Sequence, residues 1–219
     1  MKALANRLLM IFVSPTEVFD EVITSPPNLA NWRVPTLLVC LVATVVLITT
    51  NNPDPVGSFA ESSQPGLLTP AQKDLFGSFW PMVSTLTVFG AAVIGSVWSA
   101  FVLWFISRFF LKVRVPPGKI LEVIGLTSVI LLLGTIVTPL LGAAVGNSNG
   151  RPALSLLAFG LRPESHLWRV LDSLNLFHLW TTAVLAIGLS RLAGVAFKEA
   201  AFWVFGYWVV ARLALILLS

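Results

Sequence analysis

Apolar positions in this chain come in long unbroken runs rather than in alternation. Five stretches are nearly free of charge: residues 34–50, 82–107, 120–145, 177–196 and 200–218. A helix rises about 1.5 Å per residue and a bilayer's hydrocarbon core is about 30 Å thick, so about 20 apolar residues suffice to cross it. Each stretch meets or approaches that length, the first being the shortest. The pattern predicts an all-α fold: a polytopic membrane helical bundle of five transmembrane helices.

Ahead of the first run the pattern turns amphipathic. Leu4, Leu8, Ile11 and Phe12 fall at i, i+4, i+7 and i+8, the spacing of one helical face. A helix in the membrane interface is expected there, with Lys2 and Arg7 turned toward lipid head groups. Ser14-Pro15-Thr16-Glu17 reads as a second helix start. Ser14 is the cap, Pro15 suits the first helical position, and Glu17 can reach back to the cap amide. Val18, Phe19, Val22 and Ile23 line one face, Glu17, Asp20 and Glu21 the other, and Pro26-Pro27 closes the helix. Residues 1–33 thus form an N-terminal amphipathic segment and residues 34–219 a five-span membrane domain. An anionic lipid surface repels Glu17, Asp20 and Glu21. These three are therefore candidates for docking on a basic surface, either of a partner or of the chain's own basic bridge.

That bridge, residues 108–119, joins the second and third runs and holds Arg108, Lys112, Arg114 and Lys119 without an acidic residue. Positive loops stay on the cytoplasmic side. With the bridge inside, the inner segments hold Lys2, Arg7, Arg33, the four bridge cations, Arg191 and Lys198, nine in all. The outer loops hold four: Lys73, Arg151, Arg162 and Arg169. The expected topology is N-terminus cytoplasmic and C-terminus outside. Residues 51–80 form the first outer loop, with a short helix ahead of Trp80.

Composition agrees with the membrane reading. The chain is 56% apolar and 11% charged, with a mean hydropathy of +0.87, whereas a soluble domain carries about 25% charge. The net charge of +4 does not indicate nucleic acid, because the cations sit at span ends and in loops. The single cysteine, Cys40, lies inside an apolar run and reads as a small buried residue.

Small residues mark the expected helix contacts. Ala91, Gly95 and Ser99 repeat at four-residue spacing in the second run, Gly134, Thr138 and Gly142 in the third, and Thr182, Ala186, Ser190 and Gly194 in the fourth. Lipid gives no hydrophobic drive for helix association, so close backbone approach at small residues carries it. The second and third runs resemble the fourth and fifth in plan, each pair turning at cations and rising from a Lys-Glu start.

Candidate chemistry is sparse. Gly146-Asn147-Ser148-Asn149-Gly150 matches the nucleophile-elbow spacing, but no strand-turn-helix surrounds it, so a turn is expected. His166 and His178 lack metal-ligand spacing, and no cofactor is expected. Two charges fall within spans: Glu122, within a turn of the inner end and in reach of Lys119, and Arg212, well inside the fifth span. Intramembrane charges default to a functional reading. For Arg212, snorkelling toward the chain end is the plainer account, and a forked pair with Asp172 the sharper one.

Leu176-Phe177-His178-Leu179-Trp180, then Leu185-Ala186-Ile187-Gly188-Leu189 and Lys198-Glu199-Ala200, together with Pro15, Phe19 and Pro26 near the start, resemble the YIP1 family of integral membrane proteins. The short N-terminal segment favours its bacterial type and hence a bacterial inner membrane. The resemblance implies five spans, a cytoplasmic N-terminus and no catalytic activity. It also implies partners such as an ABC exporter with its periplasmic adaptor, or a trafficking assembly. The expected function is a non-enzymatic membrane scaffold or accessory subunit. A small transporter or channel is the alternative, and self-association is left open.

Overall fold

The computed structural model describes residues 2–50, 70–146, 150–158 and 165–218. In chain order these form α1 (Lys2–Met10), α2 (Pro15–Thr24), α3 (Ala30–Thr50) and α4 (Pro70–Phe105), the last running into a π-helical turn (Ile106–Phe110). Then come α5 (Pro117–Val145), a short 3-10 turn (Leu154–Leu157), α6 (His166–Ser173), α7 (Leu176–Ala193) and α8 (Phe197–Leu218). No strand occurs among the described residues. Five helices (α3, α4, α5, α7 and α8) are long and apolar enough to cross a membrane. The chain is an all-α, multi-pass membrane bundle. It has a bridge end, where residues 108–119 lie, and a far end.

Helix α5 is the centre. More than half of its most apolar stretch is buried, against a small fraction of α4 and α8. Helices α3, α7 and α4 pack directly on it. The contact with α3 depends on Gly125: a Cβ there would run into the Trp32 Cα and the Asn31 carbonyl oxygen. Gly188 of α7 faces Val123 and the Phe19 ring in the same way, and Gly134 faces the Phe177 ring. A helical glycine costs about 1 kcal/mol relative to alanine. Here the loss is offset by backbone approach at the helix crossings, the main source of association free energy in lipid.

Two apolar clusters form the core. One joins α4, α5, α7 and α8 through Leu103, Ile106, Val115, Ile120, Leu189 and Val204. The other joins the N-terminal segment to the bundle: Ile11, Val18, Phe19 and Val22 pack on Val123, Leu126, Ile130 and Val184. Phe19, Val22 and Ile11 are wholly buried. Full burial of such side chains stabilises by about 1.5–3 kcal/mol each relative to water. Packing therefore runs straight across residue 33, and α2 rests on α7 and α5.

Three local expectations are corrected. Ser14 precedes α2 with Pro15 at the first helical position, but its side chain makes no capping hydrogen bond. The short helix expected ahead of Trp80 is part of α4, one helix of 36 residues, about 54 Å long at 1.5 Å per residue. Arg7 does not point to lipid. Its side chain is 11% exposed and bonds within the protein.

Helix α4 ends by tightening against α8. The Leu111 amide donates to the Ile106 carbonyl at 3.0 Å, closing the π turn. Phe110 stacks on Trp203 at 4.0 Å between ring centroids. Lys112, at φ 57°, then reverses the chain in the left-handed region.

Gly125→Ala is expected to lower stability by about 1–3 kcal/mol, because the methyl meets backbone that cannot rotate aside. Gly188→Ala is expected to cost less, since Val123 and Phe19 are side chains that can shift. Melting in detergent checks both; an unchanged midpoint for Gly125→Ala would rule out the tight α3–α5 crossing.

Candidate functional site

Two polar clusters lie at opposite ends of the bundle. The bridge-end cluster starts from an unmet need of α2, whose last turn carries no basic residue although its carbonyls lack helical partners there. Lys119 of α5 supplies the cation. Its Nζ donates to the Val22 carbonyl at 2.6 Å and the Ser25 carbonyl at 2.8 Å. It also lies 3.1 Å from Glu122 Oε1, with both side chains buried. Glu122 is then satisfied from the segment before α3. The Asn28 amide donates to Oε1 at 3.1 Å, and Asn31 Nδ2 donates to Oε2 at 2.5 Å.

The chain of bonds continues outward. Arg7 Nη1 donates to Asn31 Oδ1 at 3.3 Å, and Arg7 Nη2 pairs with Glu21 Oε1 at 2.8 Å. One network thus ties α1, α2, α3 and α5 together. A buried pair gains little over apolar packing, but losing one partner is costly because the other is left charged and dry. The Arg7 guanidinium, chiefly through its hydrogen bond, holds the Glu21 carboxyl below its ordinary value.

The docking candidates are thereby largely engaged. Glu21 pairs with Arg7, and Asp20 lies 3.7 Å from Arg191, both of these side chains about half exposed. Exposed pairs of this kind contribute little. Glu17 is exposed. The basic bridge does meet α2, but through Lys119 on carbonyl oxygens rather than through its acidic face. Arg108, Lys112 and Arg114 remain exposed.

The far-end cluster surrounds Asp172 of α6. Ser165 caps this helix by accepting from the Trp168 amide. Arg151 Nη1 pairs with Asp172 Oδ2 at 2.9 Å, and Ser155 Oγ donates to Oδ1 at 3.0 Å. Arg212 is not the partner of Asp172. Its guanidinium sits 5.8 Å from the Trp208 ring centroid, a cation–π contact. Arg212 and His178 line a polar cleft of about 510 Å³ with Arg151, Arg169 and Asp172. A smaller cavity of about 160 Å³ continues from them between α4, α7 and α8, past Thr182 and Ser99 toward Ile106. A third cavity, of about 790 Å³ and largely apolar, adjoins the cleft between α3 and α5.

The small-residue expectations divide. Gly134 makes the close contact with Phe177 already described, and Ala186 and Ser190 are buried. Gly142 lines the apolar cavity and Ser99 the smallest one. Gly194 is not a packing residue: it ends α7 in the left-handed region at φ 65°, where its amide donates to the Arg191 carbonyl. Ala91 and Gly95 are exposed, and a Cβ at Gly95 would meet nothing within 4 Å. Among the described residues nothing covers α4 at Gly95, while Trp98, one turn on, donates to the Tyr207 hydroxyl of α8 at 2.8 Å. The glycines that do set the crossings, Gly125 and Gly188, lie off the four-residue lines. Their signal was the isolated glycine inside an apolar helix, which calls for a packing reason. Ser148 and Arg162 lie outside the described residues. No group of three or more metal-type side chains occurs among those described.

Glu122→Leu alone is expected to destabilise by about 3–5 kcal/mol by stranding Lys119, and adding Lys119→Met should recover much of the loss. Full additivity of the two, measured by melting, would break the pairing. Because the Glu21 carboxyl titrates below its unfolded value, its contribution is complete above the unfolded value and is lost as pH falls through the folded one. Glu21→Gln should therefore flatten the acid limb of the stability profile; an unchanged profile would contradict the Arg7 pairing.

Compared with known proteins, the chain matches no family model, no curated protein and no solved structure.

Proposed function

We propose that the protein is a non-enzymatic scaffold or accessory subunit of a membrane complex, and that α4 is the face it offers. The observation that carries this reading is the open position of Ala91 and Gly95 beside the exposed Ile94. A glycine facing lipid weakens its helix and gains no contact. Against a partner's helix the same glycine permits close approach. The bundle's own packing leaves α4 at the periphery, while the brace at the bridge end ties α1, α2, α3 and α5 together. The resemblance to the YIP1 family supports an ABC exporter with its adaptor as the kind of partner. It also supports a bacterial inner membrane with the N-terminus cytoplasmic. A second copy of this chain is the alternative occupant.

A small transporter is the second reading, favoured by Arg212 and His178 lining two adjacent cavities at the far end. Against it stands the bridge-end half, where the two apolar clusters pack between the helices.

Gly95→Leu separates fold from function. It is expected to leave stability unchanged or to raise it by up to about 1 kcal/mol, as read from melting. It should also abolish a discrete photo-crosslinked adduct formed from position 94 in native membranes, which a probe at the lipid-exposed Leu140 does not form. Identical adducts from positions 94 and 140, or a fall in stability, would contradict the partner face. Solute flux into liposomes holding only this protein would favour the transporter.

A further inference from the structure

The far-end cleft has a composition that the scaffold reading does not use. Among the described residues it is lined by three arginines, Arg151, Arg169 and Arg212, and one carboxylate, Asp172. Asp172 is already occupied by Arg151 and Ser155. Arg212 lies six residues before the end of α8, about 9 Å along the helix axis, and leans on the Trp208 ring. An aromatic face does not neutralise a guanidinium, and a cation inside a span is retained at a cost unless an anion meets it. Among the described residues the cleft is therefore lined by more cations than carboxylates, and Arg212 lies near the far end of its span.

The adjoining cavity explains what kind of anion fits. Thr138, Arg151, Asn175 and His178 line both spaces, so the two lie side by side. The second space is bounded by Val39, Leu131, Pro139 and Phe177, apolar side chains that lie within or at the ends of spans. A small soluble anion would use only the polar half. A molecule with a charged head and a long apolar tail uses both, and the bilayer supplies such molecules at high local concentration.

We propose that this paired cleft binds an anionic phospholipid of the surrounding membrane, with its phosphate against Arg212 and Arg151 and one acyl chain between α3 and α5. Bidentate pairing of guanidinium with phosphate gives the head its orientation. The tail displaces poorly hydrogen-bonded water from the apolar half. Bound there, the lipid bridges α3, α5, α6 and α8, joining the far end as Lys119 and Glu122 join the bridge end.

The test uses the whole protein purified in a neutral detergent, with melting and native mass spectrometry as readouts. Phosphatidylglycerol at saturation is expected to raise the midpoint by about 5 °C, while phosphatidylcholine of the same chains and inorganic phosphate do not. Arg212→Gln should weaken phosphatidylglycerol about tenfold, as expected for one charge-assisted contact. Arg191→Gln, at the bridge end, should leave it unchanged. Val39→Phe, which narrows the apolar half, should weaken the lipid without touching Arg212. Equal effects of phosphatidylcholine and phosphatidylglycerol, or full phosphatidylglycerol binding in both Arg212→Gln and Val39→Phe, would overturn the site. Inorganic phosphate matching the lipid would overturn the lipid as its ligand and assign a soluble anion instead.

Discussion

The buried pair of Lys119 and Glu122 is the contact on which the bridge end depends. Lys119 reaches back 97 residues to the Val22 carbonyl and caps a helix that has no cation of its own. Glu122 reaches back 91 residues to Asn31 and fixes where α3 starts. Two side chains one turn apart on α5 therefore position both the N-terminal brace and the first span. The apolar packing of Phe19 and Val22 adds strength but little direction, since hydrophobic contact is not directional. The hydrogen bonds supply the register. Gly125, one turn further along α5, lets Trp32 approach the backbone, so the same stretch sets both the polar and the steric terms of the α3 crossing.

The five spans were legible because their signal is length and apolarity, which need no partner to be read. The helices run past the predicted spans: the first begins four residues earlier, at Ala30, and the second twelve residues earlier, at Pro70. The role of the N-terminal segment was less legible. An amphipathic helix with a charged face looks alike whether its apolar face meets lipid or protein. Arg7 was assigned to head groups on its sign alone; its carboxylate partner lies 14 residues away on the next helix, beyond any periodic pattern. The likeness of the two Lys-Glu starts was also superficial. Lys119 and Glu122 are buried in the brace, while Lys198 and Glu199 are exposed.

Small-residue spacing proved a partial guide for a physical reason. It reports that a helix can be approached closely, not by what. On α5 and α7 the approach is internal, at Gly134 and Ala186. On α4 it is left open at Gly95. The far-end cleft was visible in the sequence only as isolated members, Arg212, His178 and Asp172. Its geometry comes from α6 folding back so that Arg151 and Ser155 converge on Asp172, long-range contacts that spacing does not encode.

The central claim is that residues 15–31 belong to the folded bundle through Lys119 and Glu122 rather than resting separately on the membrane. Hydrogen exchange tests it most directly. Amides of α2 should be protected to the same degree as those of the first two turns of α5, and Glu122→Gln should release α2 and the start of α3 while the centre of α5 stays protected. Free exchange of α2 in the parent protein, alongside protected spans, would contradict it.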